Sequence, residues 1–217
     1  MGFSGVSVGM KKYVFCLFCL FAIALPAGAQ TLLVVGDSLS AGYGLRKHEA
    51  WPVLLGERLA QAGYGYSVAN ASISGDTTAN GLSRLDAALA ASKPAIVIIA
   101  LGANDGLRGL SLKSMRDNLE AMTRKAQANG AKVLIAGMQL PPNYGPDYTQ
   151  KFAATFGEVA KATGSALLPF MLDGFATDPG RFQADGIHPL ADAQTNIVDN
   201  IWAPLKPLLG KPQKGQH

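Results

Sequence analysis

Ser38 sits in the segment Gly36-Asp37-Ser38-Leu39-Ser40, directly after an apolar run, and Asp185-Gly186-Ile187-His188-Pro189 lies near the other end of the chain. A serine hydroxyl is a poor nucleophile near neutral pH. It needs a base to take its proton, and the base works best when a third group fixes its tautomer. The chain has three histidines. His217 is the last residue, and His48 lies in a charged stretch, Arg46-Lys47-His48-Glu49, that reads as solvated surface. That leaves His188 as the candidate base. Asp185 is three residues earlier with a glycine between them, so its carboxylate can curl back onto one imidazole nitrogen and leave the other to face Ser38. Both cysteines, Cys16 and Cys19, fall inside an N-terminal segment expected to be removed, so a thiolate nucleophile is not available to the remaining chain.

Acyl transfer places negative charge on the former carbonyl oxygen, and preorganised N–H donors there each contribute ~2.7–4 kcal/mol. The backbone N–H of Ser38, the backbone N–H of Gly75 and the side-chain amide of Asn104 form the natural set. A glycine at 75 lets backbone approach a substrate closely. Each residue also has a plainer reading: Ser38 as a helix N-cap, His188 as a capping histidine beside Pro189, Asn104 as a turn former between Gly102 and Gly106, and Gly75 as a loop glycine.

These residues need a frame that brings distant positions together. Thr31 to Gly36 and Ala95 to Leu101 are short, continuous, β-branched apolar runs, the pattern of strands buried on both faces. Tyr64 to Ala69, Lys132 to Met138 and Ala166 to Phe170 read as three more strands. Helical spacing covers Ala50 to Ala62, Thr77 to Ala91, Leu112 to Asn129 and Tyr148 to Thr163. A last helix is expected to begin at Pro189 and run to about Leu209. Such alternation predicts an α/β protein with a parallel sheet and helices on both faces. In such sheets the ligand site lies at the carboxyl ends of the strands. The segments that follow the five runs hold Ser38, Gly75, Asn104, Leu140 to Tyr144, and Asp185 with His188.

Four of these segments, Gly36-Asp37-Ser38-Leu39-Ser40, Gly75, Gly102-x-Asn104-Asp105 and Asp185-x-x-His188-Pro189, resemble the four sequence blocks of the SGNH (GDSL-type) hydrolases, in the family's order. The segment around Ser38 is not the G-x-S-x-G elbow of the α/β-hydrolases. The likeness is closer to one branch of bacterial periplasmic enzymes with thioesterase, lysophospholipase and arylesterase activity, through GDSLSAGYG, NASISGDT, LGANDGLRG, LPPNYG and DGIHP; Ala103 departs from the glycine common there. The resemblance implies a three-layer α/β/α sandwich of flavodoxin-like type, with a five-stranded parallel sheet in the order 2-1-3-4-5. It implies Ser38 as nucleophile, Asp185 and His188 completing a triad, and Ser38, Gly75 and Asn104 as oxyanion donors. It also implies medium to long acyl esters or thioesters as substrates. Leu107, Leu110, Leu140, Pro141 and Tyr144 would then line an acyl groove, although the leucines read equally as helix-entry packing. Arg108 would meet an anionic head group or simply be solvated.

The chain has 217 residues, 48% hydrophobic and 16% charged, which fits one globular domain rather than a disordered or fibrous chain. Lys11-Lys12, the apolar run Tyr13 to Leu25 and Pro26-Ala27-Gly28-Ala29 read as a cleaved signal peptide over residues 1–29. The run is too short for the ~20 residues that span a bilayer, so no stable membrane anchor is expected. A hydrolase domain over 30–210 and a frayed tail over 211–217 follow, exported to the periplasm or beyond. The net charge of +4 falls to about +2 without the leader lysines, too little to argue for nucleic-acid binding. With no H-E-x-x-H, cysteine cluster or phosphate-binding glycine loop, no metal and no cofactor are expected, and a monomer acting on a small-molecule ester is. Two other functions share these features: a carbohydrate O-acetylesterase with a shallow polar site, and a non-catalytic periplasmic binding module that kept the fold.

Overall fold

The computed structural model describes residues 1–2 and 30–212. The expected signal peptide falls almost wholly on 3–29, and most of the expected tail on 213–217; both lie outside the described residues. Five strands, β1 (Gln30–Gly36), β2 (Tyr66–Asn70), β3 (Ile96–Ala100), β4 (Lys132–Ala136) and β5 (Ala166–Leu168), form one sheet in the order β2-β1-β3-β4-β5, every neighbouring pair parallel. This is the expected order. Register pairs Val35 with Ile99 and Gly36 with Ala100, so β1 and β3 end side by side.

Successive strand residues point to opposite faces, and this splits the core in two. Leu32, Val34, Ile96, Ile98 and Leu134 face one layer, made by α2 (Trp51–Gln61) and α7 (Gln194–Leu205). Leu33, Val35, Val97, Ile99, Val133 and Ile135 face the other, made by α3 (Thr78–Ser92), α5 (Leu112–Ala128) and α6 (Pro146–Thr163). Because both faces are covered, the central strands need apolar residues at every position, which is why they read as unbroken runs. Trp51, Leu55 and Leu59 of α2 repeat at the spacing of one helix face, and all three are fully buried. Truncating one of these leucines to alanine is worth about 2–5 kcal/mol, the lost transfer free energy plus the cavity.

Two short helices were not foreseen: α1 (Ser38–Ala41) and α4 (Ala103–Leu107) each follow a central strand. At four and five residues they are too short to show a period. The end of the chain also differs from expectation. Pro189 is not in the first turn of a helix. It is buried and bridges Phe182 antiparallel, while Leu190 N donates to Arg181 O at 2.8 Å. A residue before proline avoids the α region, which disfavours starting a helix at His188. A 3-10 turn over Ala191–Ala193 then leads into α7, which ends at Leu205 instead of near Leu209 and passes into another 3-10 turn over Lys206–Leu208.

Candidate active site

The carboxyl end of β1 delivers Asp37 in extended conformation, and its carboxylate accepts the Leu39 N–H at 3.1 Å. Asp37, not Ser38, is therefore the N-cap of α1. Ser38 occupies the first helical position, with its hydroxyl free to point away from the helix. Ser38 Oγ lies 2.8 Å from His188 Nε2, and His188 Nδ1 lies 2.7 Å from Asp185 Oδ2. The other Asp185 oxygen accepts the Ile187 and His188 backbone N–H groups at 2.9 and 3.0 Å. That tight turn needs Gly186 at φ +68, where a side chain would be strained.

The His188 and Ile187 N–H groups, with the imidazole, hold the Asp185 carboxyl down to about 2. It is therefore ionised and accepts only, so Nδ1 carries the imidazole proton and Nε2 accepts from the serine hydroxyl. Asp37 is 2% exposed, and burial pushes its carboxyl up to about 6. The Leu39 N–H, the His188 charge and the Asn104 amide oppose that rise without cancelling it.

Asn104 stands on the first turn of α4. Its amide nitrogen donates to the Asp76 carbonyl at 3.0 Å and makes a long contact, 3.4 Å, to Asp37 Oδ2. It thus sits between the neighbours of Ser38 and of Gly75. Arg108 Nη2 donates to the Gly75 carbonyl at 2.9 Å and reaches Asn104 Oδ1 at 3.4 Å. Gly75 has φ +84. Among the described residues, neither the Ser38 nor the Gly75 N–H donates to another group.

Three further side chains, none of them singled out above for this task, hold these loops. Buried Asp105 receives the Thr78 N–H at 2.8 Å and the Thr78 hydroxyl at 2.6 Å, tying α4 to the start of α3. Arg84 binds Asp76 at 2.7 Å, the Ala71 carbonyl, and the Gly36 carbonyl at 3.4 Å, bracing the loop that carries Gly75. Gln183 is the third: its side-chain amide donates to the Tyr43 carbonyl at 2.9 Å and its N–H to the His188 carbonyl at 2.8 Å.

The two segments expected to line a groove are joined. The Tyr144 hydroxyl donates to the Leu107 carbonyl at 3.0 Å, and Tyr148 to the Gly106 carbonyl at 3.2 Å. Leu140 packs close enough to Gly106 that a Cβ there would lie 2.9 Å from its methyl. Leu107 and Leu140 are half-buried, whereas Leu110, Pro141 and Tyr144 are exposed. Arg108 is exposed too, but one face of its guanidinium is committed to Gly75 and Asn104.

A parallel α/β/α sheet with a hydroxyl, an imidazole and a carboxylate in line at its carboxyl edge defines a class of hydrolases. The chain belongs to the GDSL-like lipase/acylhydrolase family, which it matches over residues 34–195, and it is an enzyme that hydrolyses ester bonds. It is 54% identical over 193 residues to the esterase TesA of Pseudomonas aeruginosa, covering 88% of this chain and 96% of that one. It is 41% identical over 193 residues to the thioesterase 1/protease 1/lysophospholipase L1 of Escherichia coli K12, covering 89% of this chain and 91% of that one. A crystal structure of TesA superposes with a TM-score of 0.82 at 56% identity, over 83% of this chain and all of the other.

Proposed function

We propose that this protein is a serine hydrolase that cleaves carboxylic esters and thioesters of medium to long acyl chains through an acyl-enzyme on Ser38. The observation that carries this reading is the unbroken line from Ser38 Oγ through His188 to Asp185, with contacts of 2.8 and 2.7 Å. The Ser38 oxygen attacks the carbonyl carbon while its proton passes to His188 Nε2. The Ser38 N–H, the Gly75 N–H and the Asn104 amide receive the oxyanion. Those two backbone donors have no partner among the described residues, and the long contact to Asp37 leaves one amide proton of Asn104 for substrate. The imidazolium then gives its proton to the leaving alkoxide or thiolate as the C–O or C–S bond breaks. Water, deprotonated by the same nitrogen, attacks the acyl-serine, and the proton returns to Oγ as the acid leaves.

A medium to long acyl chain is favoured by the apolar wall of Leu107, Leu110, Leu140, Pro141 and Tyr144, which the Tyr144–Leu107 and Tyr148–Gly106 bonds hold as one surface. The same wall disfavours a carbohydrate O-acetylesterase. The leader composition supports export to the periplasm, and no helix among the described residues is long and apolar enough to cross a membrane. The test is labelling with a fluorophosphonate and a p-nitrophenyl ester series from acetyl to palmitoyl. Labelling lost in Ser38→Ala, with rates peaking beyond butyrate, is expected. Normal labelling of that variant ends the nucleophile assignment, and rates falling steadily from acetate end the acyl-chain assignment.

A further inference from the structure

We propose that Tyr43 is a positioning residue for His188: its ring lies against the imidazole face and stabilises the imidazolium formed at each proton transfer. The inference rests on the reading of His188 as the base. The two ring centroids are 4.5 Å apart with the planes tilted by 38°. That is inside the ~6 Å within which an aromatic face attracts a cation.

The hydrogen bonds to His188 run along its edges, to Asp185 at Nδ1 and to Ser38 at Nε2. Two edge contacts leave the ring free to rock about the line that joins them, and a neighbour on the face removes that freedom. Tyr43 is held for this task although the residue is 53% exposed. Its N–H donates to the Ser38 carbonyl at 3.1 Å, and its carbonyl accepts the Gln183 amide at 2.9 Å. The Gln183 backbone N–H in turn donates to the His188 carbonyl, so one residue fastens the loop after α1 to the turn that carries the base. The Tyr43 hydroxyl has no hydrogen-bond partner among the described residues, so the ring and not the phenol is what meets His188.

The groups facing His188 are Asp185 on its own turn, Asp37 on the β1–α1 turn, and Tyr43. Asp185 supplies charge throughout, Asp37 only once it ionises above about pH 6, and Tyr43 supplies a polarisable face without charge. Its contribution therefore grows as the imidazole becomes cationic and is small while the imidazole is neutral.

Three variants of the full-length protein separate this from packing alone. Tyr43→Phe keeps the face and should match the parent. Tyr43→Leu keeps the bulk without the face. It should lose about two- to fivefold in kcat, with KM little changed, and its acid limb should move down by about half a pH unit. His188→Gln is the control: near-parental turnover there refutes the underlying reading, not this inference. With His188→Gln inactive, a Tyr43→Leu variant equal to Tyr43→Phe in kcat and acid limb overturns the role of the ring. A second readout is independent of turnover. The His188 Hε1 resonance, assigned against His188→Gln, should lie upfield through the Tyr43 ring current and return downfield in Tyr43→Leu. An unshifted resonance in the parent removes the contact itself.

Discussion

Replacing Asp37 by asparagine should stabilise the protein progressively as pH rises from 4 to 8. Asp37 is 2% exposed and its carboxyl is pushed from 3.8 to about 6, first by burial. In the unfolded chain the same group titrates near ~3.9. Between those values the native state holds a proton that the unfolded state has released. Stability therefore falls with pH across that window, and the contribution of protonated Asp37, complete below about pH 4, is lost as pH passes through about 6. A shift of about two units corresponds to about 3 kcal/mol at ~1.36 kcal/mol per unit. The burial leaves little solvent screening to reduce that figure. Asparagine has the same shape, accepts the Leu39 N–H through its oxygen and never ionises, so the variant escapes the loss. The assay is urea unfolding of parent and variant at half-unit steps from pH 4 to 8. Groups remote from Asp37 cancel in the difference, which should grow by about 3 kcal/mol and level off above pH 7. Two curves that stay parallel, or a parent that gains on the variant as pH rises, would refute the argument that Asp37 is held against its charged form.

Three further outcomes follow from named contacts. Asn104→Ala should lower turnover on a p-nitrophenyl ester by ~10²–10³ with an unchanged unfolding midpoint, and near-parental turnover removes Asn104 from the oxyanion site. Asp105→Ala leaves the Thr78 N–H and the Thr78 hydroxyl proton without an acceptor where Asp105 is now 3% exposed, and should cost about 1–3 kcal/mol in urea unfolding; an unmoved midpoint shows that they find other acceptors. Arg108→Ala releases the Gly75 carbonyl and should reduce kcat several-fold with a smaller change in KM for an uncharged ester, whereas a change confined to KM for anionic substrates would make Arg108 a head-group ligand instead.

The parts of this protein legible in its sequence are those set by period or by chemical type. β1 and β3 stand out because burial on both faces demands apolar residues at every position. Ser38, His188 and Asp185 stand out because few residue types can attack, accept and orient, and because each follows a predicted strand. The supporting contacts leave no such trace. Asp105 stands beside Asn104 in the segment after β3, yet it accepts the first N–H of a helix that begins 27 residues earlier. Arg84 lies unremarked within the helical stretch Thr77 to Ala91, yet it braces the Gly75 loop. Pro189 has the local signature of a helix start. The antiparallel bridge back to Phe182, which a helix-start signature does not encode, decided otherwise. The short helices α1 and α4 are set by the loops they join, not by their own composition.

The hydroxyl and the imidazole that meet at this site are 150 positions apart, one on the first strand's exit and the other just before the last helix. On the mechanism proposed above, a chain still held at its C-terminal end has the nucleophile without its base and is expected to be inert toward esters. Recovery of turnover after dilution from denaturant should accordingly track the arrival of the C-terminal segment rather than collapse of the sheet. On the same mechanism, a cut between residues 38 and 188 that lets the pieces drift apart is expected to silence the enzyme.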